Sequence, residues 1–332
     1  MTIYNKISVI GGGAWGTALA AMAARAGRDV LLWAREDGVV TSINEAHENK
    51  DFLPDVTLPK SLKATGNLAD VATAEVILMV VPAQFVRAIA QDMKVFLKES
   101  TPIILCAKGI EQSTGKMMNE VVTEVLPKSP LVVLSGPTFA REVAADMPSA
   151  VTIASKYQQI AQNVADTLGQ PTFRPYLSRD VVGAEVGGAV KNVLAVACGI
   201  VAGLELGDNA RAALITRGLA EMVRFGEVFG AKRETMMGLC GLGDLILTCS
   251  SVQSRNMSLG MALGQGKSVA EIMSGRISVA EGYHTAGILA EIAERENIDM
   301  PIAAAVNEIL HKNGDVKEIV QQLMNRPYVS EL

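Results

Sequence analysis

The chain has 332 residues, of which 49% are hydrophobic and 20% are charged, and its formal net charge is -5. A chain of this length corresponds to about two domains of roughly 150 residues each. The negative net charge disfavours a nucleic-acid partner, because binding to nucleic acid needs a basic face. The longest apolar stretch, Val193 to Leu204, is shorter than the ~20 residues that span a bilayer. We therefore expect a globular, cytoplasmic protein with no membrane segment.

The cysteines do not indicate a disulfide framework or a metal site. Cys106, Cys198, Cys240 and Cys249 lie in apolar surroundings, without a CxxC motif and without a histidine at the spacing of a zinc ligand. Such a pattern favours reduced thiols in the core of a cytoplasmic protein. We expect no bound metal.

The first half of the chain alternates apolar, β-branched runs with helical segments. The runs, in chain order, are KISVI, DVLLW, EVILMVV, PIILCA, LVVLS and AVTIA. Continuous apolar runs are typical of a parallel sheet that helices cover on both faces. After residue 182 helix-period patterns replace them, as in RAALITRGLAEMVRFGEVFG and HTAGILAEIAEREN. The prediction is an α/β chain, with a doubly wound, Rossmann-like parallel sheet over residues 1–182 and an all-helical domain over residues 183–332.

The helical half carries two recognisable helix starts. Ser268 is followed three residues later by Glu271, and Asp315 is followed three residues later by Glu318. Each pair combines a capping side chain with a carboxylate near the positive end of the helix dipole. A further helix, beginning near Gly183, is expected to run along the boundary between the two domains.

Three glycines follow the first predicted strand in the stretch KISVIGGGAWGTALAAMAARAG. Gly11, Gly13 and Gly16 fit the pattern G-x-G-x-x-G between a strand and an alanine-rich helix, which is the context required of a dinucleotide-binding turn. Gly11 would form the tight turn, Gly13 would admit a pyrophosphate, and Gly16 would let the helix pack on the strand. The alternative is a glycine turn with no ligand. The two GK pairs of the chain have the wrong spacing for a P-loop.

The end of the second strand bears on the choice between NAD and NADP. It reads Trp33, Ala34, Arg35, Glu36. An arginine here accommodates a 2′-phosphate, whereas an acidic residue pairs with a ribose 2′-hydroxyl. Arg35 therefore favours NADP, although Glu36 could serve NAD, and both could be no more than surface charges.

Polar residues that could perform chemistry lie at the ends of predicted strands and in the boundary helix. Lys108 follows PIILCA, and Gly136 and Thr138 follow LVVLS, which places them at the carboxyl edge where doubly wound sheets bind ligands. Lys191 and Asn192 interrupt an otherwise apolar helix, where a charged group is costly to bury unless it is used or paired. We predict that Lys191 transfers the proton that accompanies hydride transfer. The alternative is a lysine that extends from the helix to solvent.

A third polar cluster lies in the sequence GLCGLGDLILTCSSVQSRNMSLG. Asp244 and Thr248 precede the string Ser254, Arg255, Asn256, which stands at a predicted helix start. A guanidinium, an amide and helix N-terminal N–H groups together can bind a phosphate. Taken alone, the string could equally be an ordinary capped loop.

Nine motifs together resemble the bacterial-type NAD(P)-dependent glycerol-3-phosphate dehydrogenase family. They are GGGAWGTALA, VPAQFVR, AKGIE, SGPTFARE, VKNVLAVACGI, NARAALITRGLAEM, GLGDLILTCSS, SRN and AEGYHTA, and they extend from Gly11 to about Ala286. The resemblance implies reversible reduction of dihydroxyacetone phosphate to sn-glycerol 3-phosphate in the cytoplasm, supplying glycerophospholipid synthesis. It also implies a homodimer.

The resemblance further implies roles for individual residues. Lys191 matches the proton donor and acceptor of the family. The groups around the reacting carbon are matched by Lys108, Asn192 and Asp244. The substrate-binding groups are matched by Lys108, Gly136, Thr138, Lys191, Asp244, Thr248, Ser254, Arg255 and Asn256. The cofactor-binding groups are matched by Gly11, Gly13, Ala14, Trp15, Gly16, Arg35, Lys108, Ala140, Arg255, Val279 and Glu281.

Two positions depart from the family pattern. Gly12 and Ala14 stand where relatives often have an alanine and a hydroxyl residue. Ala14 removes one phosphate contact. Two other functions remain open from the residues alone: a related two-domain β-hydroxy acid dehydrogenase, in which Arg255 binds a carboxylate, and a dinucleotide sensor without catalysis, in which Lys191 and Asp244 form only a buried ion pair.

Overall fold

The structure is a computed structural model that describes residues 2–274 and 280–328. Within these ranges eight strands form one sheet in the order β3-β2-β1-β4-β5-β6-β7-β8. The strands are β1 Lys6–Ile10, β2 Asp29–Trp33, β3 Lys63–Thr65, β4 Val76–Met79, β5 Ile103–Leu105, β6 Leu131–Ser135, β7 Ser149–Ala154 and β8 Phe173–Ser178.

Helices connect the strands and make up the second half of the described chain. Those of the first half are α1 Ala14–Arg25, α2 Asp37–Thr41, α3 Leu68–Val71, α4 Val86–Lys94, α5 Met118–Val125, α6 Ala140–Ala144 and α7 Gln158–Leu168. Those of the second half are α8 Val181–Gly203, α9 Gly207–Val228, α10 Arg233–Met236, α11 Asp244–Cys249, α12 Arg255–Gly264, α13 Val269–Ser274, α14 Glu281–Arg295, α15 Pro301–His311 and α16 Val316–Met324. Short π-helical turns lie at Ser42–Ala46 and Leu239–Gly243, and a 3-10 turn lies at Ala83–Phe85.

The doubly wound sheet is confirmed, but it is not entirely parallel. All six predicted strands are present, and strands β1 to β6 run parallel to one another. Strand β7 pairs antiparallel with β6, and β8 pairs parallel with β7. The last two strands therefore run opposite to the rest, which corrects the prediction of an all-parallel sheet. The connection between β6 and β7 holds only the short helix α6, so the chain does not make a full crossover.

The two edge strands, β3 and β8, were not predicted from the sequence. Strand β3 has only three residues, too few for a periodic pattern. Strand β8 has the sequence FRPYLS, in which Arg174, Tyr176 and Leu177 are exposed. A solvent-facing edge strand with a proline lacks the continuous apolar run that marks the buried strands.

Each face of the sheet forms its own core. Helices α1, α6 and α7 cover one face, where Leu19 and Val164 are fully buried. Helices α4 and α5 cover the other face, where Val86 and Val121 are fully buried. This double coverage explains why the inner strands are apolar on both sides.

Helix α8 is the centre of the helical half. Its residues from Gly183 to Val201 are all buried, and its neighbours α9, α11, α12, α14 and α15 form one core around it. Its length and mean hydropathy of 1.7 would suffice to cross a membrane, but 89% of its most apolar part is buried inside the protein. It is therefore the core helix of the domain. The predicted domain boundary at residue 182/183 falls in its first turn and stays a prediction.

The two predicted helix starts in this half are confirmed. The backbone N–H of Ser268 donates to Glu271 at 2.8 Å, and the N–H of Glu271 donates to the Ser268 hydroxyl at 3.3 Å. Asp315 accepts from the N–H groups of Lys317 and Glu318, each at 2.9 Å. These bonds satisfy backbone donors that have no partner within their own helices.

Glycines let α12 lie directly against the backbone of α8. A Cβ atom on Gly260 would stand 1.9 Å from the carbonyl oxygen of Val196, and one on Gly199 would stand 2.1 Å from the carbonyl oxygen of Met257. Real Cβ atoms do not approach backbone atoms so closely. The contact therefore requires glycine on both helices, and it fixes the N-terminus of α12 relative to α8.

We expect Gly260→Ala to lower the free energy of unfolding by about 3 kcal/mol or more, because the added methyl must push two helix backbones apart. Urea unfolding followed by circular dichroism measures this loss. Gly287→Ala is the matched control: it lies inside α14, and its added Cβ would make only ordinary contacts of 3.8 Å or more. That variant should be neutral or more stable by up to about 1 kcal/mol. Equal behaviour of the two variants would contradict the packing argument.

Candidate active site

The glycine turn has the geometry of a phosphate-binding loop. Gly11 has φ of +123°, and a Cβ there would stand 3.0 Å from the carbonyl oxygen of Val80 at the end of β4. A Cβ on Gly16 would stand 1.9 Å from the carbonyl oxygen of Gly11. Gly11 is therefore required by conformation, and Gly16 by the close approach of α1 to the end of β1.

The start of α1 fits the diphosphate of a dinucleotide. Gly13 is the N-cap residue and has no side chain to satisfy the first N–H groups of the helix, and a Cβ there would have nothing within 4 Å. Ala14 and Trp15 follow, and the first turn contains no acidic side chain. The indole Nε1 of Trp15 is buried and has no hydrogen-bond partner within the described residues. Open backbone donors and the helix dipole suit a bound anion.

Asn49 supports this turn and was not found from the sequence. It is fully buried, and its Nδ2 donates to the carbonyl oxygen of Gly12 and to the hydroxyl of Thr17, each at 2.8 Å. These bonds satisfy the Gly12 carbonyl and connect the glycine turn to the segment that carries Asn49. Asn49 lies in an irregular segment, more than thirty residues along the chain from both partners. No local sequence pattern therefore predicts its contact with the glycine turn.

Three further residues were predicted to contact the cofactor: Arg35, Ala140 and Val279. Arg35 follows β2, and its guanidinium is exposed and pairs with Glu36 at 3.1 Å. Ala140 begins α6, whose residues pack in the same core as α1. Val279 lies outside the described residues. Neither NAD nor NADP is specified by these contacts, because Arg35 and Glu36 lie side by side.

Lys191, Asp244 and Lys108 form one buried cluster at the carboxyl edge of the sheet. The Lys191 ammonium donates to Asp244 Oδ1 at 2.8 Å, and the Lys108 ammonium donates to Asp244 Oδ2 at 2.7 Å. Lys191 also donates to the Thr248 hydroxyl at 2.8 Å. Helices α8 and α11 and the segment after β5 each supply part of the cluster. The prediction that Lys191 is inside the protein and paired is confirmed, and the solvent-directed alternative is wrong.

Burial and the neighbouring charges set the ionisation of this cluster. Burial lowers the pKa of Lys191 to about 8, the Asp244 carboxylate opposes the shift, and the Lys108 ammonium adds to it. Burial disfavours the charged form of Asp244, but the two ammonium groups outweigh it and hold the pKa of Asp244 below its ordinary value. Lys191 can therefore exchange a proton near neutral pH.

Gly136 and Thr138 stand beside the cluster at the end of β6. The Lys108 ammonium donates to the carbonyl oxygen of Gly136 at 3.2 Å, and the Thr138 hydroxyl donates to the same oxygen at 3.3 Å. The hydroxyl of Ser135 is buried and has no partner within the described residues. The strand end therefore positions Lys108 through a backbone carbonyl.

The predicted phosphate residues occupy the N-terminus of α12. Ser254 is the N-cap, and its hydroxyl accepts from the N–H of Met257 at 3.2 Å. Arg255 is the first residue of the helix and is exposed. Asn256 is buried, and its Nδ2 donates to Oδ1 of Asn192 at 2.9 Å. A hydrogen bond between two side-chain amides therefore connects the N-terminus of α12 to α8 at the residue after Lys191.

Glu281 connects this region to the sheet domain. Burial raises the pKa of Glu281 to about 7, while a hydrogen bond from the backbone N–H of Ala83 and the charge of Arg255 oppose the shift. Its Oε2 and the buried hydroxyl of Thr285 have no partners within the described residues, and a Cβ on Gly109 would lie 3.5 and 3.7 Å from them. The prediction of a cofactor contact at Glu281 is not tested by these contacts.

We expect Asp244→Asn to lower the free energy of unfolding at pH 7 by about 3 kcal/mol, because it leaves two buried ammonium groups without a counter-charge. The deficit should shrink between pH 7 and pH 10. Asp244 raises the pKa of Lys191, so its removal takes the folded-state pKa of Lys191 still further below the unfolded-state value. The free energy of unfolding of the variant therefore rises more between these pH values than that of the unsubstituted protein. Urea unfolding at the two pH values measures both effects.

The control for this variant is Asp299→Asn. Asp299 is 63% exposed and pairs with Arg326 at the surface, so its loss should cost less than about 1 kcal/mol at either pH. A deficit in Asp244→Asn that does not change with pH would contradict the assignment of buried charge to Lys191.

Comparison with known proteins identifies the family of both halves of the chain. The model of the NAD-dependent glycerol-3-phosphate dehydrogenase N-terminus matches residues 6–161, and that of the C-terminus matches residues 180–321. The glycerol-3-phosphate dehydrogenase (NAD(P)+) of Parvibaculum lavamentivorans is 54% identical over 328 residues, covering 99% of this chain and 98% of that protein. The protein of the same name from Rhodospirillum rubrum is 55% identical over 326 residues, covering 98% of this chain and 93% of that protein.

A solved structure agrees with this result. The crystal structure of glycerol-3-phosphate dehydrogenase from Coxiella burnetii has a TM-score of 0.93 and 40% identity, and the match covers 97% of this chain and 99% of that chain. The resemblance stated from the sequence motifs is confirmed, as is the fold of a Rossmann-like domain followed by a helical domain. The chain belongs to the NAD-dependent glycerol-3-phosphate dehydrogenase family.

Proposed function

We propose that the chain catalyses the reversible reduction of dihydroxyacetone phosphate to sn-glycerol 3-phosphate with NADPH or NADH, a step that supplies glycerophospholipid synthesis. The observation that carries the proposal is the buried cluster of Lys191, Asp244 and Lys108. It places a lysine of lowered pKa at the carboxyl edge of a dinucleotide-binding sheet. Membership of the family and the names of its relatives support the same reaction.

Lys191 is the proposed proton donor and acceptor. The bound nicotinamide supplies the hydride, which adds to the carbonyl carbon of the substrate. Negative charge then develops on the carbonyl oxygen, and the Lys191 ammonium transfers a proton to it to complete the alcohol. In the oxidation direction neutral Lys191 takes the alcohol proton. Asp244 and Thr248 hold the Lys191 nitrogen in place in both directions.

Lys108 and Asn192 are the proposed polarising groups. The Lys108 ammonium is fixed by Asp244 and the Gly136 carbonyl, so its positive charge stays beside the reacting cluster throughout. Asn192 directly follows Lys191 on the same buried helix. Fixed donors near the carbonyl oxygen stabilise the charge that grows in the transition state.

The N-terminus of α12 is the proposed phosphate site. Ser254, Arg255 and Asn256 stand at its cap and first two positions, where helix N–H groups and the helix dipole favour an anion. Gly136 and Thr138 contribute the proposed contacts from the sheet domain. The hydrogen bond between the side-chain amides of Asn256 and Asn192 would set the distance from the phosphate site to Lys191 and its neighbours.

The proposed cofactor is NADP in preference to NAD, and Arg35 is the proposed discriminating residue. Its side chain is 76% exposed and follows Ala34, whose Cβ would stand 2.5 Å from a Cβ on Gly12 of the glycine turn, so Arg35 could meet a 2′-phosphate. Ala14 offers no hydroxyl to the diphosphate, so the backbone N–H groups of α1 take that contact alone. A homodimer and a cytoplasmic location are further proposals, which the family resemblance supports.

We expect Lys191→Met to lower kcat for ketone reduction by about 10²-fold or more, because it removes the proton donor and keeps the volume of the side chain. The dissociation constant of NADPH should stay nearly unchanged, since the glycine turn is untouched. Absorbance at 340 nm measures turnover, and quenching of Trp15 fluorescence measures binding. Lys317→Met, an exposed lysine on α16, is the control and should keep full activity.

The pH dependence of the unsubstituted enzyme checks the same assignment. Reduction needs protonated Lys191, so kcat/KM for reduction should fall as pH rises through about 8, the pKa of Lys191. Oxidation needs the neutral amine, so its kcat/KM should rise over the same interval. Near-normal turnover of Lys191→Met would contradict the proposed role of Lys191. So would the same dependence of kcat/KM on pH near 8 in that variant.

We expect Arg255→Ala to lower kcat/KM for dihydroxyacetone phosphate by roughly 10- to 150-fold, the equivalent of a charge-assisted contact of about 1.5 to 3 kcal/mol. Unphosphorylated dihydroxyacetone should lose little. Lysine at this position should restore only part of the loss, because a point charge cannot reproduce a two-pronged contact. Arg295→Ala, an exposed arginine on α14, is the control. Equal losses on both ketones would contradict a phosphate contact.

We expect Arg35→Asp to shift the ratio of kcat/KM values from NADPH toward NADH, because a carboxylate repels the 2′-phosphate and can accept from the ribose hydroxyl. The shift should diminish at high salt, since the site is exposed. Arg174→Asp makes the same substitution on β8, at the opposite edge of the sheet, and should leave the ratio unchanged. Equal losses with both cofactors would show that Arg35 does not discriminate.

A further inference from the structure

The amide of Asn256 has only one orientation compatible with its surroundings. Its Oδ1 accepts from the backbone N–H of Gly282 at 2.9 Å, in the first turn of α14. A backbone N–H can only donate, so the oxygen of the amide must face it. The Nδ2 of Asn256 therefore faces the other way, toward Asn192.

This orientation fixes the amide of Asn192 as well. The Nδ2 of Asn256 lies 2.9 Å from Asn192 Oδ1, and both side chains are buried. Because Nδ2 is a donor, it must meet the oxygen of Asn192 rather than its nitrogen. Oδ1 of Asn192 therefore accepts from Asn256, and the NH₂ group of Asn192 is left to donate to a bound substrate.

The close packing of α14 makes the arrangement rigid. A Cβ on Gly282 would stand 2.5 Å from the carbonyl oxygen of Asn192 and 2.9 Å from Oδ1 of Asn256. Only glycine allows the start of α14 to approach both residues. The three groups come from three helices, α8, α12 and α14, and Asn256 is hydrogen-bonded to both of the other two.

We propose that Asn256 is a positioning residue, which orients Asn192 so that its NH₂ group donates to the carbonyl oxygen of the substrate. This inference rests on the proposed function, and it gives the side chain of Asn256 a role in addition to the substrate contact implied by the family resemblance, because the second N–H of Nδ2 is not used by Asn192. A donor must face the oxygen on which negative charge develops, and an amide turned by 180° would present a repelling oxygen there. The hydrogen bond from the Gly282 N–H to Asn256, followed by the one from Asn256 to Asn192, excludes the turned orientation of the Asn192 amide.

The decisive variant is Asn256→Asp. A carboxylate still accepts from Gly282, but it cannot donate to Asn192, so Asn192 must turn its NH₂ group toward position 256 and its oxygen toward the substrate. We expect kcat/KM to fall by about 10²-fold, the usual effect of losing one donor to a developing oxyanion. The fall should also appear with unphosphorylated dihydroxyacetone, because the damage is at the carbonyl; repulsion between the new carboxylate and the phosphate can only add to the loss with dihydroxyacetone phosphate.

A double-mutant cycle with Asn192→Ala separates positioning from direct binding. If Asn256 acts through Asn192, Asn256→Asp should cost less than about 3-fold once Asn192 is alanine, since coupled residues are not additive. The same cycle with Asn256→Ala covers the case in which the aspartate variant does not fold. Full additivity, or a loss confined to KM for the phosphorylated ketone, would overturn the proposal and make Asn256 a phosphate ligand.

A spectroscopic measurement tests the orientation without turnover. In the complex of the enzyme with oxidised cofactor and dihydroxyacetone phosphate no hydride is available, so the infrared stretch of the bound carbonyl can be recorded. A donor from Asn192 lowers its frequency, and Asn256→Asp should return it toward the value in Asn192→Ala. An unchanged frequency in Asn256→Asp would contradict the proposal. Reduction of the phosphorylated ketone by the unsubstituted enzyme reports separately on the proposed function.

Discussion

The buried Asp244 carboxylate, shared by two lysines, is the interaction on which the arrangement of the site depends. One oxygen holds Lys191 of the core helix, and the other holds Lys108 at the end of a sheet strand. A buried carboxylate is stable only while it is paired, and each lysine needs it for the same reason. The ion pairs that connect the sheet to the helical half therefore include the group that we propose as proton donor.

Glycines along α8 decide which neighbours can reach this carboxylate. A Cβ on Gly187 would stand 2.2 Å from the carbonyl oxygen of Cys240, in the π-helical turn that leads to Asp244. One on Gly188 would stand 3.1 Å from the Lys108 side chain. About three turns further along, Gly199 admits the backbone of α12, which carries the proposed phosphate site. The small residues of an otherwise apolar helix thus position both the charge cluster and the anion site.

Local patterns predicted the parts of the site that depend on neighbouring residues in the chain. The glycine turn was predicted from a strand, three glycines and a helix, and Lys191 was singled out because it interrupts the apolar stretch GGAVKNVLAVACGIVAG. Asn49 and the pair of Asn256 with Asn192 could not be predicted, because their hydrogen bonds join segments 32 to 64 residues apart. The reversed direction of β7 was missed for a related reason: an apolar run shows that a strand is buried but not which way it runs.

The hydrogen bonds of Lys191 are compatible with the proposed proton transfer in both directions of the reaction. An ammonium has three N–H donors in tetrahedral directions, and Asp244 and Thr248 each receive one at 2.8 Å. The direction of the third N–H is then fixed by geometry. After that proton leaves, the amine keeps its two hydrogen bonds and its lone pair takes the same direction, ready to accept a proton from an alcohol. No side chain has to move between the two protonation states, because the two anchoring bonds are present in both.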